Sequence, residues 1–122
     1  MSGRMSGLTS YLSGKAAEDS VLNAYSAQGC RLLCRRWRGP GGEIDLVLEN
    51  AGEVIFVEVK TSRSFAEAAS HLSRRQIARL LASAEAALGF FAKGSLTPMR
   101  FDVALVDRAG RIDVIPNALH AA

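Results

Sequence analysis

The stretch Gly42–Lys60, GEIDLVLENAGEVIFVEVK, decides how the chain folds. It reads as two β-strands joined by a tight turn. In the first, Ile44, Leu46 and Leu48 alternate with Glu43, Asp45, Val47 and Glu49, the two-residue period of a strand. Ala51-Gly52 turns the chain. The second strand, residues 53–60, carries the run VIFVEV, whose apolar residues on both faces suit a central strand. Glu43, Asp45, Glu58 and Lys60 lie among these aliphatic residues. A charge there costs free energy unless it is paired or bound to a metal.

Register decides whether these charges meet. If Asn50 pairs with Glu53 across a two-residue loop, Asp45 falls opposite Glu58, and Glu43 opposite Lys60, on one face. A four-residue loop closing on Glu49 and Val54 leaves that arrangement unchanged. A three-residue loop sets Asp45 against Val57, on the wrong face. In the even register the two carboxylates have Cβ atoms roughly 4.5–5.5 Å apart. Like charges so placed repel, and a hard divalent cation compensates them: Mg²⁺ favours carboxylate oxygens at about 2.0–2.1 Å and keeps several waters. Lys60, at the edge of that site, would balance charge in the metal-free state and orient or deprotonate a water. The alternative is a solvated face on which Glu43 pairs with Lys60 and Asp45 has no partner. Val54 and Phe56 on the same face argue against it.

The flanking residues predict the remaining elements. A helix is expected over residues 10–28, with Tyr11, Leu12, Ala16, Leu22 and Tyr25 near a 3.6-residue period, Asp19 as a polar intruder, and Gly29 as the stop. Residues 1–9 are rich in Gly and Ser and are expected to fray. By periodicity alone Glu18 is a solvated helix residue. Residues 30–38 read as the first strand, and Gly39-Pro40-Gly41-Gly42 as a breaker loop. After Lys60 the chain is irregular to about residue 72, with a short helical turn in FAEAA. Ser73 caps a second long helix reaching about residue 91, with Ile77, Leu80, Leu81, Ala84, Leu88 and Phe91 on one stripe. Residues 94–98 read as a loop. Residues 99–107 and 111–115 complete the order α-β-β-β-α-β-β.

A chain of 122 residues, 48% of them hydrophobic, fits one domain with a sizeable core. The formal net charge of +3 permits nucleic-acid binding without arguing for it. The arginines are bunched, as Arg31, Arg35, Arg36 and Arg38, and as Arg74, Arg75 and Arg79. Each cluster is either a solvated face or a grip on phosphates. Trp37 is half-buried core or a stacking surface for an unpaired base. Gln76 can face the site from the start of its helix. Cys30 and Cys34 would stand roughly 13 Å apart at strand rise, too far for a disulfide, and a lone CxxxC is a poor zinc site. No apolar run approaches the roughly 20 residues of a membrane span, and MSGRMSGLTS lacks a signal-peptide apolar region. A cytoplasmic location with no membrane partner is expected.

Asp45 followed by Glu58-Val59-Lys60 resembles the PD-(D/E)xK nuclease core. Longer strings extend the likeness: GKAAE at 14–18, RRWR at 35–38, GEIDLV at 42–47, FVEVKT at 56–61, RFDV at 100–103 and PNA at 116–118. Together they resemble the YraN family (uncharacterised protein family 0102) over nearly the whole chain. The resemblance implies a restriction-endonuclease-like α/β fold, similar to archaeal Holliday junction resolvases, with a mixed central sheet of about five strands flanked by helices. It implies that Glu18 is the motif acid of the first helix, holding metal through a water or a second metal. It makes Asp45 and Glu58 the metal-binding acids, with the Val59 backbone carbonyl as a further ligand, and Lys60 the motif lysine.

The expected catalytic set is therefore Glu18, Asp45, Glu58 and Lys60, with Mg²⁺ or Mn²⁺ as cofactor. The expected activity is hydrolysis of phosphodiester bonds in DNA rather than RNA, on branched or repair intermediates. Arg35, Arg36, Trp37, Arg38, Arg74 and Arg75 would hold the nucleic acid, Glu43 and Gln76 would be accessory, and a junction-resolving role would need a homodimer. Arg75 stands where the family often has Lys, which keeps the charge but transfers protons poorly. Ile44 stands where the motif's leading Pro would be. The competing expectation is a nucleic-acid-binding protein that keeps the fold and does not cut.

Overall fold

The computed structural model describes residues 6–118, with side chains from residue 14. Its centre is the expected hairpin, β2 (Gly42–Asn50) antiparallel to β3 (Glu53–Thr61). Asn50 pairs with Glu53 and Leu46 with Val57, which is the even register. Ala51 (φ 52) and Gly52 (φ 84) form the loop. Two successive positive φ angles mark a type I′ turn, whose twist matches that of the flanking strands.

β1 (Arg31–Gly39) pairs antiparallel with β2, β4 (Met99–Val106) parallel with β3, and β5 (Ile112–Ile115) antiparallel with β4. The strands lie in chain order, β1-β2-β3-β4-β5. The parallel step needs a crossover, which α2 (Phe65–Ser70) and α3 (Arg74–Leu88) supply. The result is a mixed five-stranded sheet flanked by helices, consistent with a restriction-endonuclease-like fold. β3 is central, and Val54, Ile55, Phe56 and Val57 are buried on both of its faces.

On one face, α1 (Ser6–Ala27) lays Ala17, Val21 and Tyr25 on Leu46, Leu48, Ile55, Val57, Ala104 and Val106. On the other, Leu80, Ala84, Ala87 and Leu88 of α3 cover Ile44, Val47, Val54, Phe56, Phe101 and Val103. Helix α1 starts earlier than expected, so residues 6–9 are helical rather than frayed. Residues 1–5, and the side chains of Tyr11 and Leu12, lie outside the described residues. The buried stripe is also displaced from the expected one: Ala16 is exposed and Val21 is fully buried. Adjacent alanines at 16 and 17 fit either phase, and the larger Val21 decides it. Glu18 thereby sits at the inward edge and is only 8% exposed, not solvated as periodicity alone implies.

Helix α3 begins as expected, with Ser73 Oγ accepting the Gln76 N–H at 3.0 Å. It ends at Leu88, and the expected loop near residue 95 holds a 3-10 turn, Gly94–Leu96. Its middle turn locks the β1–β2 corner. Ser83 Oγ accepts the Gly41 N–H at 2.9 Å and donates to the Gly42 carbonyl at 2.8 Å. A Cβ at Gly41 would collide with the Arg79 carbonyl of α3. Gly41→Ala is therefore expected to destabilise the protein by about 1–3 kcal/mol, as overpacking against rigid backbone does. A lower urea midpoint with an unchanged slope would register it; an unchanged midpoint would show that the corner yields freely.

Candidate active site

The β2–β3 ladder stops at Leu46–Val57. In the same register the Val59 N–H would next donate to the Ile44 carbonyl. It donates instead to Asp45 Oδ2, at 2.7 Å. A carboxylate has replaced a backbone rung, and Asp45 stands at the open end of the strand pair. Glu58, next along β3 from Val57, is 6% exposed. Lys60 Nζ lies 3.3 Å from Glu58 Oε2. On β1, the pairs Arg35–Leu46 and Trp37–Ile44 flank Arg36, which therefore stands across from Asp45. Arg36 has φ 52, a left-handed conformation that costs a non-glycine residue about 1–2 kcal/mol. Its guanidinium is 3.4 Å from Glu18 Oε2 and 3.9 Å from Glu43 Oε1.

Burial pushes the Glu58 carboxyl up to about 8, with the Asp45 carboxylate adding to the rise and Lys60 opposing it. Burial also raises Glu18, again helped by the charge of Asp45 and tempered by Arg36 and Arg35. Oε1 of Glu18 and Oε1 of Glu58 are both buried without a hydrogen-bond partner. Such acceptors cost free energy until something fills them. Among the described residues no cluster of three or more His, Cys, Asp or Glu is gathered as a ready metal cage. Asp45 and Glu58 are instead the kind of two-carboxylate set that Mg²⁺ accepts while keeping waters. Carbonyl and N–H of one strand residue point to the same side, so the Val59 carbonyl faces the gap that its N–H faces. The donor set thus fits a hard divalent cation.

A raised carboxyl pKa has a definite sign. Between about pH 4.5 and 8 folded Glu58 keeps a proton that the unfolded chain has released, so metal-free stability falls as pH rises through that window. Glu58→Gln is expected to remove most of this slope and to make the metal-free protein more stable at pH 8, by on the order of 2 kcal/mol. Melting temperatures of both proteins from pH 5 to 9 check this; parallel curves would show that Glu58 ionises normally.

The other expected residues are placed as follows. Glu43 pairs with Arg36 and, at 3.6 Å, with Arg38, rather than with Lys60. Arg35 binds Asp19 at 2.9 Å. Trp37 is half-buried against the α3-side core, with its ring edge-on to the exposed Phe90 at 6.4 Å. Arg74 and Arg75 are exposed in the first turn of α3, with Gln76 half-buried beside them. Among the described residues no hydrogen bond or ion pair joins these three side chains to Asp45 or Glu58. Cys30 and Cys34 are free thiols.

Sequence reading missed Asp102. It is 1% exposed and accepts from Tyr25 Oη at 2.7 Å, from Arg100 Nε at 3.1 Å and from the Asn117 N–H at 2.9 Å. The signal was the charged pair in RFDV, inside an otherwise apolar strand. This acid faces α1 and is saturated with donors, so it fastens the fold.

The fold and the site together define an α/β protein with a half-buried Asp45 and a buried Glu58 at the open end of its central hairpin. The chain belongs to the family described as Uncharacterised protein family UPF0102, whose profile matches residues 17–106. It is 54% identical to a UPF0102 protein of Ruegeria pomeroyi over 112 residues, covering 92% of this chain and 91% of the relative. It is 50% identical to one from Cereibacter sphaeroides over 117 residues, covering 96% of this chain and all of the relative. No helix among the described residues is long and apolar enough to cross a membrane.

Proposed function

We propose that this protein is a metal-dependent endonuclease of the PD-(D/E)xK, restriction-endonuclease-like superfamily, hydrolysing phosphodiester bonds of DNA. The observation that carries the reading is the pair of partnerless buried oxygens on Glu18 and Glu58 around Asp45, with Lys60 against Glu58. Asp45, Glu58 and the Val59 carbonyl would hold Mg²⁺ or Mn²⁺. When bound, such a cation polarises the phosphate and lowers the pKa of a coordinated water. Glu58 would hold the cation in its ionised form. Lys60 would orient the attacking water and offset the negative charge that develops on the phosphate. Arg35, Arg36, Arg38, Arg74 and Arg75 hold the backbone without reading sequence. The likeness to archaeal Holliday junction resolvases favours branched DNA as substrate and a homodimer as the acting form. The free thiols favour a cytoplasmic setting.

A second reading, a nucleic-acid-binding protein that does not cut, draws on one fact: Asp45 Oδ2 is already engaged by the Val59 N–H. The two separate on incubation with branched, duplex and single-stranded DNA and with RNA, in Mg²⁺ or Mn²⁺, beside Lys60→Ala. Cleavage by the native protein that is lost in the variant supports the nuclease. Binding without cleavage supports the second reading. Neither, with no rise in melting temperature on adding metal, would sink both.

A further inference from the structure

Arg35 and Arg36 are consecutive residues of one strand, yet both reach α1. Arg35 binds Asp19 at 2.9 Å, and Arg36 lies 3.4 Å from Glu18. In a regular strand neighbouring side chains point to opposite faces. The positive φ of Arg36 breaks that alternation and turns its guanidinium toward the acidic site. The strain sits across from Asp45, where β1 and β2 show no residue pairing between Trp37–Ile44 and Arg35–Leu46. Strained backbone that aims one side chain is a feature of sites rather than of ordinary strands. The guanidinium meets Glu18 and Glu43 together, yet leaves Glu18 Oε1 without a partner. Its side chain remains 47% exposed, so it has room to leave.

We infer that Arg36 is a resident counter-ion of the acidic site, which a divalent cation displaces and which then contacts a phosphate of the nucleic acid. Resting on the metal-dependent reading above, the inference adds an order of events: one positive charge leaves the carboxylates as another arrives. The freed guanidinium, a planar fork of donors, suits a phosphate's oxygens. Arg36 is thus a positioning residue for Glu18 in the metal-free protein and a phosphate ligand in the loaded one.

The test is calorimetric titration of Mg²⁺ and Mn²⁺ without nucleic acid, on wild type, Arg36→Asn and Arg36→Lys. Asparagine tolerates the left-handed backbone and carries no charge. Arg36→Asn is expected to bind the cation roughly twofold to fivefold more tightly, the range that loss of one half-exposed competing ion pair allows. Arg36→Lys keeps the charge and should stay near wild type. In Ca²⁺, Arg36→Asn should bind DNA severalfold more weakly despite its tighter metal. Unchanged or weaker metal binding in Arg36→Asn overturns the inference, as does an equal change in both variants, which would mark a merely structural role. Absence of cation binding by the wild-type protein would remove the metal reading itself, a result distinct from either.

Discussion

On the proposed nuclease reading, Asp45→Asn is expected to lower DNA cleavage by at least about 10²–10³-fold, the scale on which single electrostatic contributors to a transition state act, while leaving the fold intact. The distinction between charge and hydrogen bond makes this substitution informative. The Val59 N–H donates to Asp45 Oδ2, and the amide oxygen of asparagine accepts the same bond. The site keeps its shape and loses one negative charge. Asp45→Ala removes both, and leaves a strand N–H without an acceptor at a cost of about 1–3 kcal/mol. The two variants should therefore be equally inactive and unequally stable. Asp45→Asn should also ease Glu58 back toward the ordinary carboxylate range, because the Asp45 charge is second only to burial in raising it. Metal-free Asp45→Asn should then lose less stability between pH 5 and 8 than the wild type. Cleavage within tenfold of wild type, or a collapse of stability equal to that of the alanine variant, would contradict this account of Asp45.

The hairpin was legible because a strand's side-chain period is two. The run from Gly42 to Lys60 admits few registers, and the Ala51-Gly52 turn selects the one that pairs Asn50 with Glu53; the pairing ends at Leu46–Val57, and Ile44 and Leu46, two residues apart, pack on opposite faces. What the alternation could not carry is the end of the ladder. The capture of the Val59 N–H by a side chain, and the left-handed turn at Arg36, are local departures from strand geometry. No pattern of apolar residues announces them. Glu18 was illegible for a different reason. Two small residues, Ala16 and Ala17, leave the phase of α1 open, and a shift of one residue moves Glu18 between solvent and core. Its place in the site was suggested by likeness to other sequences, and its burial now gives that suggestion a physical basis. Ser83 and Asp102 were missed because their partners lie 42 and 77 residues away in the chain for Gly41 and Tyr25 respectively. Single polar residues in apolar runs signal that a partner exists without saying which.

Asp102→Ala is the substitution expected to cost the most stability, about 3–5 kcal/mol, the usual consequence of removing one member of a buried charged network. For a chain of this size that corresponds to a fall in melting temperature of roughly 10–20 °C. The carboxylate gathers three separate pieces of the fold: Tyr25 of α1, Arg100 of β4 and the backbone at Asn117 after β5. Arg100 is itself shared with Glu53 at 3.0 Å, which ties in the start of β3. Deletion of Asp102 strands a hydroxyl and an N–H at once and leaves Arg100 with Glu53 alone. Asp102→Asn keeps the volume and can still accept from Tyr25 or from Asn117, but it no longer neutralises Arg100, so it should fall between the alanine variant and wild type. Tyr25→Phe removes one bond and should cost only about 1 kcal/mol. The loss should also differ in kind from the change at Glu58. Burial, and then the bond to Asp102, raise the Tyr25 hydroxyl well above its ordinary range, so the donor stays protonated at every workable pH. The deficit of Asp102→Ala should therefore be nearly constant from pH 6 to 9, whereas the effect of Glu58→Gln grows with pH. Tyr25 and Glu18 lie seven residues apart on α1, two turns along the same face. The bond from Tyr25 to Asp102 thus helps to hold the helix that carries Glu18, and a Tyr25→Phe protein as stable as wild type would show that the helix is held by other contacts.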